Sequence, residues 1–192
     1  MKFFALIFLL PTLAFATPST PTAYIQANVD AVITILAETQ GDSPAMREAQ
    51  ARRLSTLVDD FFDSEELSRR ALGQYWRLFS PEQRVEFEGL FLKLIKQVYL
   101  RKSIAYNNEQ VTVDQEIMKS DEWAEVFSTI VGANVRTKLI YYLKKRDSAW
   151  KVYDVSVENV SFVKNYRSQF QGILQNNPPA HLISILREKT NE

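Results

Sequence analysis

Through the first half of the chain, apolar residues recur at helical spacing. Ile25, Val29, Val32, Ile33 and Leu36 share one helical face. Gly41-Asp42 interrupts the pattern, and Ser43-Pro44 restarts it with proline at the first helical position. Leu54, Leu57, Val58 and Phe61 continue an apolar stripe. Asp63-Ser64-Glu65-Glu66 has the spacing of a capping box and predicts a helix carrying Leu67, Ala71 and Leu72. Ser80-Pro81-Glu82-Gln83 is the clearest boundary, with serine as N-cap, proline at N1 and glutamine at N3. The helix behind it carries Phe87, Leu90, Phe91, Leu94, Ile95, Val98 and Tyr99 on one stripe. It is expected to run to about Tyr106.

The period then changes to two. Val111, Val113 and Ile117 predict one strand, and Val126, Ser128 and Ile130 a second. Val135, Thr137, Leu139, Tyr141 and Leu143 face one way on a third, with Arg136 and Lys138 on its other side. After a polar turn at 144–148, residues 150–157 predict a fourth. Four strands with short connections make an antiparallel meander. Phe162, Val163, Tyr166, Phe170, Ile173 and Leu174 return to helical spacing. Asn177-Pro178-Pro179 opens a last helix with Leu182, Ile183, Ile185 and Leu186. The expected fold is α+β: helices packed on one face of a curved antiparallel sheet of about four strands, enclosing an apolar ligand cavity. The segments are helical 22–106, strands 110–157 and helical 161–189.

The first residues change the picture of where this domain works. Met1-Lys2 precedes an apolar run from Phe3 to Leu13, which closes on Ala14-Phe15-Ala16. That is the layout of a cleaved secretory signal peptide, and the run is too short to span a bilayer. Residues 1–16 are therefore expected to be removed, leaving 17–192 as one domain. Basic and acidic side chains balance at 23 each, and losing Lys2 leaves one acid in excess. There is no basic stripe of the kind a nucleic-acid binder needs. An exported chain without cysteine is held together without disulfides, which suits a bacterial periplasm.

Candidate chemistry is sparse. His181 stands alone in the last helix, and the five glycines are too scattered to build a phosphate-cradling loop. The acidic run 59–66 lacks the alternating ligands and central glycine of a calcium loop, and helix-start acids explain it. Tyr153 and Asp154 resemble an isomerase's acid–base pair in type, but strict alternation points them to opposite faces, and structural hydrogen bonding accounts better for Asp154. No catalytic group, cofactor or metal ligand set is expected. What remains in excess is aromatic and apolar surface.

Several segments resemble one family when taken in order. They are Leu72-Gly73-Gln74-Tyr75-Trp76, Ser80-Pro81-Glu82-Gln83, Phe87, Phe91, Tyr99, Trp150-Lys151-Val152-Tyr153-Asp154-Val155, Val160-Ser161 and Asn165-Tyr166-Arg167-Ser168-Gln169-Phe170. Together they resemble the MlaC family, also described as the toluene-tolerance auxiliary component of an ABC transporter. The likeness runs from about Pro21 to Lys189, with one departure: Asn159 stands where the family usually has glycine. The resemblance implies a monomeric periplasmic phospholipid carrier that maintains outer-membrane lipid asymmetry. Its partners would be an inner-membrane ABC transporter with an MCE-domain subunit and an outer-membrane lipoprotein–porin complex. Acyl chains would lie inside, against Phe91, Val98, Tyr106, Ile130, Leu139, Tyr141, Val155, Val160, Tyr166 and Phe170. Arg167 and Lys164 are cations that could attract a phosphate. An isomerase-like enzyme with a cone-shaped pocket and a ligand-free adaptor are the alternative readings.

Overall fold

A computed structural model describes residues 20–38, 43–103, 109–133 and 136–191. The expected signal peptide, Gly41-Asp42, Tyr106 and Val135 lie outside them. Local sequence chemistry accounts for most boundaries. Helix α1 spans Pro21–Glu38 and α2 spans Pro44–Phe61, with the Ser43 hydroxyl accepting from the Met46 amide. Helix α3, Ser64–Leu72, is capped by Asp63, which accepts from the Glu66 amide at 2.9 Å. A 3-10 turn, Gly73–Leu78, follows where no element was expected. Helix α4, Pro81–Ser103, opens on the predicted reciprocal box. The Gln83 amide donates to Ser80 Oγ at 3.2 Å, and the Ser80 amide donates to Gln83 Oε1 at 3.0 Å.

Strands β1 (Gln110–Ser120), β2 (Trp123–Val131), β3 (Arg136–Arg146) and β4 (Ala149–Val157) form the antiparallel meander. A fifth strand of two residues, β5 (Val160–Ser161), pairs with β4 and leads into α5 (Phe162–Leu174); α6 spans Pro179–Asn191. Two tight turns set this register. Asp147-Ser148 joins β3 to β4 and Glu158-Asn159 joins β4 to β5, all four residues at positive φ. Two-residue hairpin loops of this kind match the right-handed twist of the strands they join. Asn159, at φ 64°, tolerates the left-handed region that the family's glycine would occupy freely.

Cross-strand partners share a sheet face, so the register gives the faces directly. Ala124, Leu143 and Val152 form one row, and Val126, Tyr141 and Val155 the next. Ser128, Leu139, Val157 and Val160 form a third, and Ile130 and Thr137 a fourth. Between the first two rows β4 carries a bulge: Tyr142 pairs with Asp154 but Leu143 pairs with Val152, leaving Tyr153 extra. The expectation that Tyr153 and Asp154 face opposite ways therefore fails. Asp154 pairs with Tyr142, and the Tyr153 ring lies 6.2 Å from Tyr142 and 5.2 Å from Trp123, all on the far face. Further register shifts in β1 add to the curvature, and β1 and β5 do not pair, so the sheet is open.

Two apolar cores result. One joins α1 and the α2 C-terminus to the sheet, with Ile25 against Ala124, Val126, Leu143, Trp150 and Val152. The other lies among α3, α4, α5 and α6 and is dominated by Phe79, Phe87, Phe91 and Phe170. Phe62 packs against both, and the Asp63 amide donates to the Val152 carbonyl at 2.8 Å, tying the helix corner to the edge of β4. Beside that tie Glu66 is buried. It accepts from Arg69 at 2.7 and 2.8 Å, Arg70 at 2.6 Å and Lys144 at 3.1 Å. Burial pushes its carboxyl up, but the Arg69, Lys144 and Arg70 hydrogen bonds together outweigh that and hold it at about 2.

Candidate ligand-binding face

The first two rows of the near sheet face are covered. Tyr24, Ile25 and Val29 of α1 and Phe61 and Phe62 at the end of α2 pack onto them. Apart from Val113, which pairs with Ser128 and packs against the first core, the residues of the third and fourth rows belong to neither core. Leu139 is 8% exposed there and Ile130 and Thr137 are half-buried, while Val157 is 38% and Val160 64% exposed. Ile35 of α1 and Leu54 and Val58 of α2 are also buried outside both cores. Among the described residues, the open end of the sheet is thus an apolar face outside both cores, buried at Ser128 and Leu139 and exposed at its rim at Val157 and Val160.

Two hydroxyl-bearing residues sit within it, Ser128 and Thr137. Ser128 Oγ is buried and has no hydrogen-bond partner among the described residues, and Ser128 pairs beside Leu139 between Val126 and Ile130. A buried hydroxyl without a partner costs about 1–3 kcal/mol. The two-residue alternation had placed Ser128 on this face, but an alcohol among valines carries no sequence signal of its own.

Of the expected lining residues, Ile130, Leu139 and Val160 lie at this open end, while Tyr141 and Val155 share the sheet face but sit in the second row, packed against the first core. Phe91, Tyr166 and Phe170 do not share that face. They are stacked against one another in the helical core, with ring centroids 5.1 to 5.5 Å apart, and Phe91 is fully buried. Burial also pushes the Tyr166 phenol up. Val98 falls in α4 without a described side chain, and Tyr106 lies outside the described residues. Ile35, Leu54 and Val157 were not among the expected lining residues. Only the packing of α1 and α2 over the sheet distinguishes them from other helix-face residues.

The strand-to-helix corner beside this face is built by Asp154. Its Oδ2 accepts from the Ser161 hydroxyl at 2.5 Å and its Oδ1 from the Val163 amide at 3.0 Å. Ser161 Oγ in turn accepts from the Lys164 amide at 3.0 Å. Two of the first amides of α5 are satisfied in this way. Burial raises the Asp154 carboxyl, opposed by the Ser161 and Val163 hydrogen bonds. Both oxygens are engaged in holding the helix start, so the side chain positions Val160 at the rim.

A family model described as MlaC protein matches residues 26–188. The chain is 26% identical over 137 residues to the intermembrane phospholipid transport system binding protein MlaC of Haemophilus influenzae, covering 69% of this chain and 64% of that one. It is 28% identical over 126 residues to the toluene tolerance protein ttg2D of Pseudomonas putida, covering 65% of this chain and 59% of that one. The match thus spans about three fifths of the length of these relatives. Among solved structures, the phospholipid-binding protein from Ralstonia solanacearum in complex with a phospholipid superposes with a TM-score of 0.75 at 25% identity. That superposition covers 92% of this chain and 98% of the other.

Proposed function

The chain belongs to the MlaC family, and from that premise we propose that it is a soluble carrier that holds phospholipid acyl chains against the open end of its sheet. The observation that carries this reading is the row of Leu139, Val157 and Val160, with Ile130 beyond it. These apolar side chains share one face and remain outside both packed cores. Leaving Val157 and Val160 exposed is unfavourable for a free-standing domain and useful for one that receives a chain. Two acyl chains present roughly 30 methylenes, and at ~0.8 kcal/mol each their exposure to water costs roughly 24 kcal/mol. A carrier must supply a dry apolar surface and needs no catalyst. Ser128 Oγ gives that surface one donor for a lipid ester oxygen.

In this reading residues 1–16 direct export and are cleaved, and residues 17–192 act as one lipid-binding domain in the periplasm. Its partners there are an inner-membrane ABC transporter with an MCE-domain subunit and an outer-membrane lipoprotein–porin complex. The lining set is Ile130, Leu139 and Val160, with Tyr141 and Val155 in the adjoining row at its inner edge, and Val98 and Tyr106 expected from α4 and the residues beyond it.

The test is native mass spectrometry of protein exported and purified without detergent, with lipid extraction alongside. Phospholipid is expected on the protein. A photocrosslinking residue at position 139 or 141 should capture it, whereas one at 138, on the other side of β3, should not. Protein that carries no phospholipid, or equal capture from position 138, would sink the assignment.

A further inference from the structure

A separate feature lies around the edge of the sheet, where α3 meets the 3-10 turn. A surface depression of about 580 Å³ is lined by Arg69, Arg70, Gly73, Trp76, Arg77 and Arg167, together with Gln74, and every charged residue in that lining is an arginine. A smaller hollow of about 240 Å³ adjoins it, sharing Gly73 and Arg167.

The chain builds this hollow deliberately. Gly73 has φ 55° and ψ −126°, which an L side chain rarely adopts, and the reversal there brings Arg69 and Arg70 to the same hollow as Arg77. From α5, Arg167 donates through Nε to the Arg70 carbonyl at 2.6 Å, which anchors its guanidinium across the hollow. Arg70 is fixed by Glu66 at 2.6 Å and lies over the Tyr153 ring at 4.2 Å and the Trp123 ring at 5.1 Å. Arg69 is held by the same carboxylate. Arg77 is exposed and makes no ion pair among the described residues. One buried carboxylate therefore organises cations that outnumber it, in a chain whose charges balance overall.

We propose that this depression is an anion site that takes a phosphoryl group and is distinct from the acyl-binding face. Guanidinium forks match phosphate oxygens in bidentate geometry, and pre-fixed arginines lose less freedom on binding than mobile surface lysines. The site also stands apart from the apolar face. Trp123 and Tyr142 alternate with Ala124 and Tyr141, so the rings beneath Arg70 belong to the sheet face turned away from Leu139 and Val160. The sheet lies between the two sites, and both can be occupied at once. The phosphoryl group is either free in solution, as a phosphate or phosphomonoester, or carried by a lipid headgroup in a membrane surface.

The protein as purified is titrated calorimetrically with inorganic phosphate at constant ionic strength, and in parallel sedimented with phosphatidylglycerol vesicles. Saturable binding is expected in at least one arm. Phosphate alone identifies a solution ligand, and vesicles alone identify a headgroup. Arg77→Gln and Arg167→Gln should each weaken binding about tenfold, the loss of one bidentate contact. Lys164→Gln, an exposed cation on the same helix outside the hollow, should leave it unchanged. Arg77 has no structural partner to lose, so Arg77→Gln reads binding even where Arg167→Gln loosens the fold. Co-purified lipid should be unaltered in all three. No saturable binding in either arm, or equal binding by Arg77→Gln, overturns the proposal. So does a glutamate-rich peptide that binds more tightly than phosphate, which would make the hollow a protein-docking patch.

Discussion

The helical core and the open end of the sheet are both apolar, yet they are packed on different terms. In the helical core Phe79, Phe87, Phe91, Phe162, Tyr166 and Phe170 form a chain of contacting rings, with centroids 4.9 to 5.6 Å apart, mostly edge to face or tilted. That geometry suits aromatic quadrupoles and leaves little for a ligand to add. On the sheet, Leu139 and Val157 pair directly outside both cores, and Val160 at the rim is exposed. Apolar character therefore does not distinguish a core from a binding face. What distinguishes them is that the helical core closes on its own rings, whereas the open end of the sheet ends in the exposed rim of Val157 and Val160.

Truncation should separate the two regions most strongly. Phe91→Ala removes a fully buried ring in contact with three others and is expected to cost about 3–5 kcal/mol, measured as a fall in the urea midpoint. Lipid loss without that destabilisation would move Phe91 from the core to the binding face and collapse the distinction.

A buried ion cluster at Glu66 joins α3 to β3 at the end of the sheet away from the open face, and it should show in acid. The Glu66 carboxyl sits at about 2 in the folded chain against an ordinary 4.5. A depressed carboxylate contributes stability that is complete above pH 4.5 and is lost as the pH falls towards 2. The amount is about 3 kcal/mol. Glu66→Gln should be less stable at neutral pH, because Arg69, Arg70 and Lys144 then surround a neutral group, and its urea midpoint should vary less between pH 5 and 2.5. An unchanged acid slope would show that Glu66 does not carry this dependence.

A smaller effect is expected at the turn that sets the rim. Asn159→Val forces a β-branched residue to φ 64° and should cost about 1–2 kcal/mol, whereas Asn159→Gly should be neutral or slightly stabilising. Thermal unfolding of the pair measures the difference; equal melting temperatures would mean that the turn relaxes.

The smallest effect on stability should accompany the largest effect on ligand. Val160 is mostly exposed, so Val160→Asp is expected to change the unfolding free energy by no more than about 0.5 kcal/mol. It places a charge where an acyl chain would lie and should remove most co-purified phospholipid, scored by lipid extraction. A folded variant with its full lipid content would take Val160 out of the lining.

Much of the fold was legible because its causes are local. Proline at N1, the Ser80–Gln83 box and the Asp63 cap act within one helical turn, so four residues of sequence suffice to place a boundary. The alternation of β2 and β3 likewise put Ile130, Leu139 and Tyr141 on one face, since side-chain period in an unbroken strand is two. The chain alone thus determined the order of the six helices and four long strands, the polar turn between β3 and β4 and part of the apolar face, but not the 3-10 turn or β5. It did not determine which aromatic residues would complete a core. Phe91 and Phe170 look the same in sequence whether they meet a lipid or each other, and residues 79 positions apart decide the matter by packing. The β4 bulge reversed the facing of Tyr153 because it depends on pairing with β3, not on β4's own pattern. The arginine hollow required α3, the 3-10 turn and α5 to converge, and Glu66 found Lys144 at a separation of 78 residues. Long-range contacts of this kind are selected by the whole folded shape, because their free energy appears only once distant segments have been brought together.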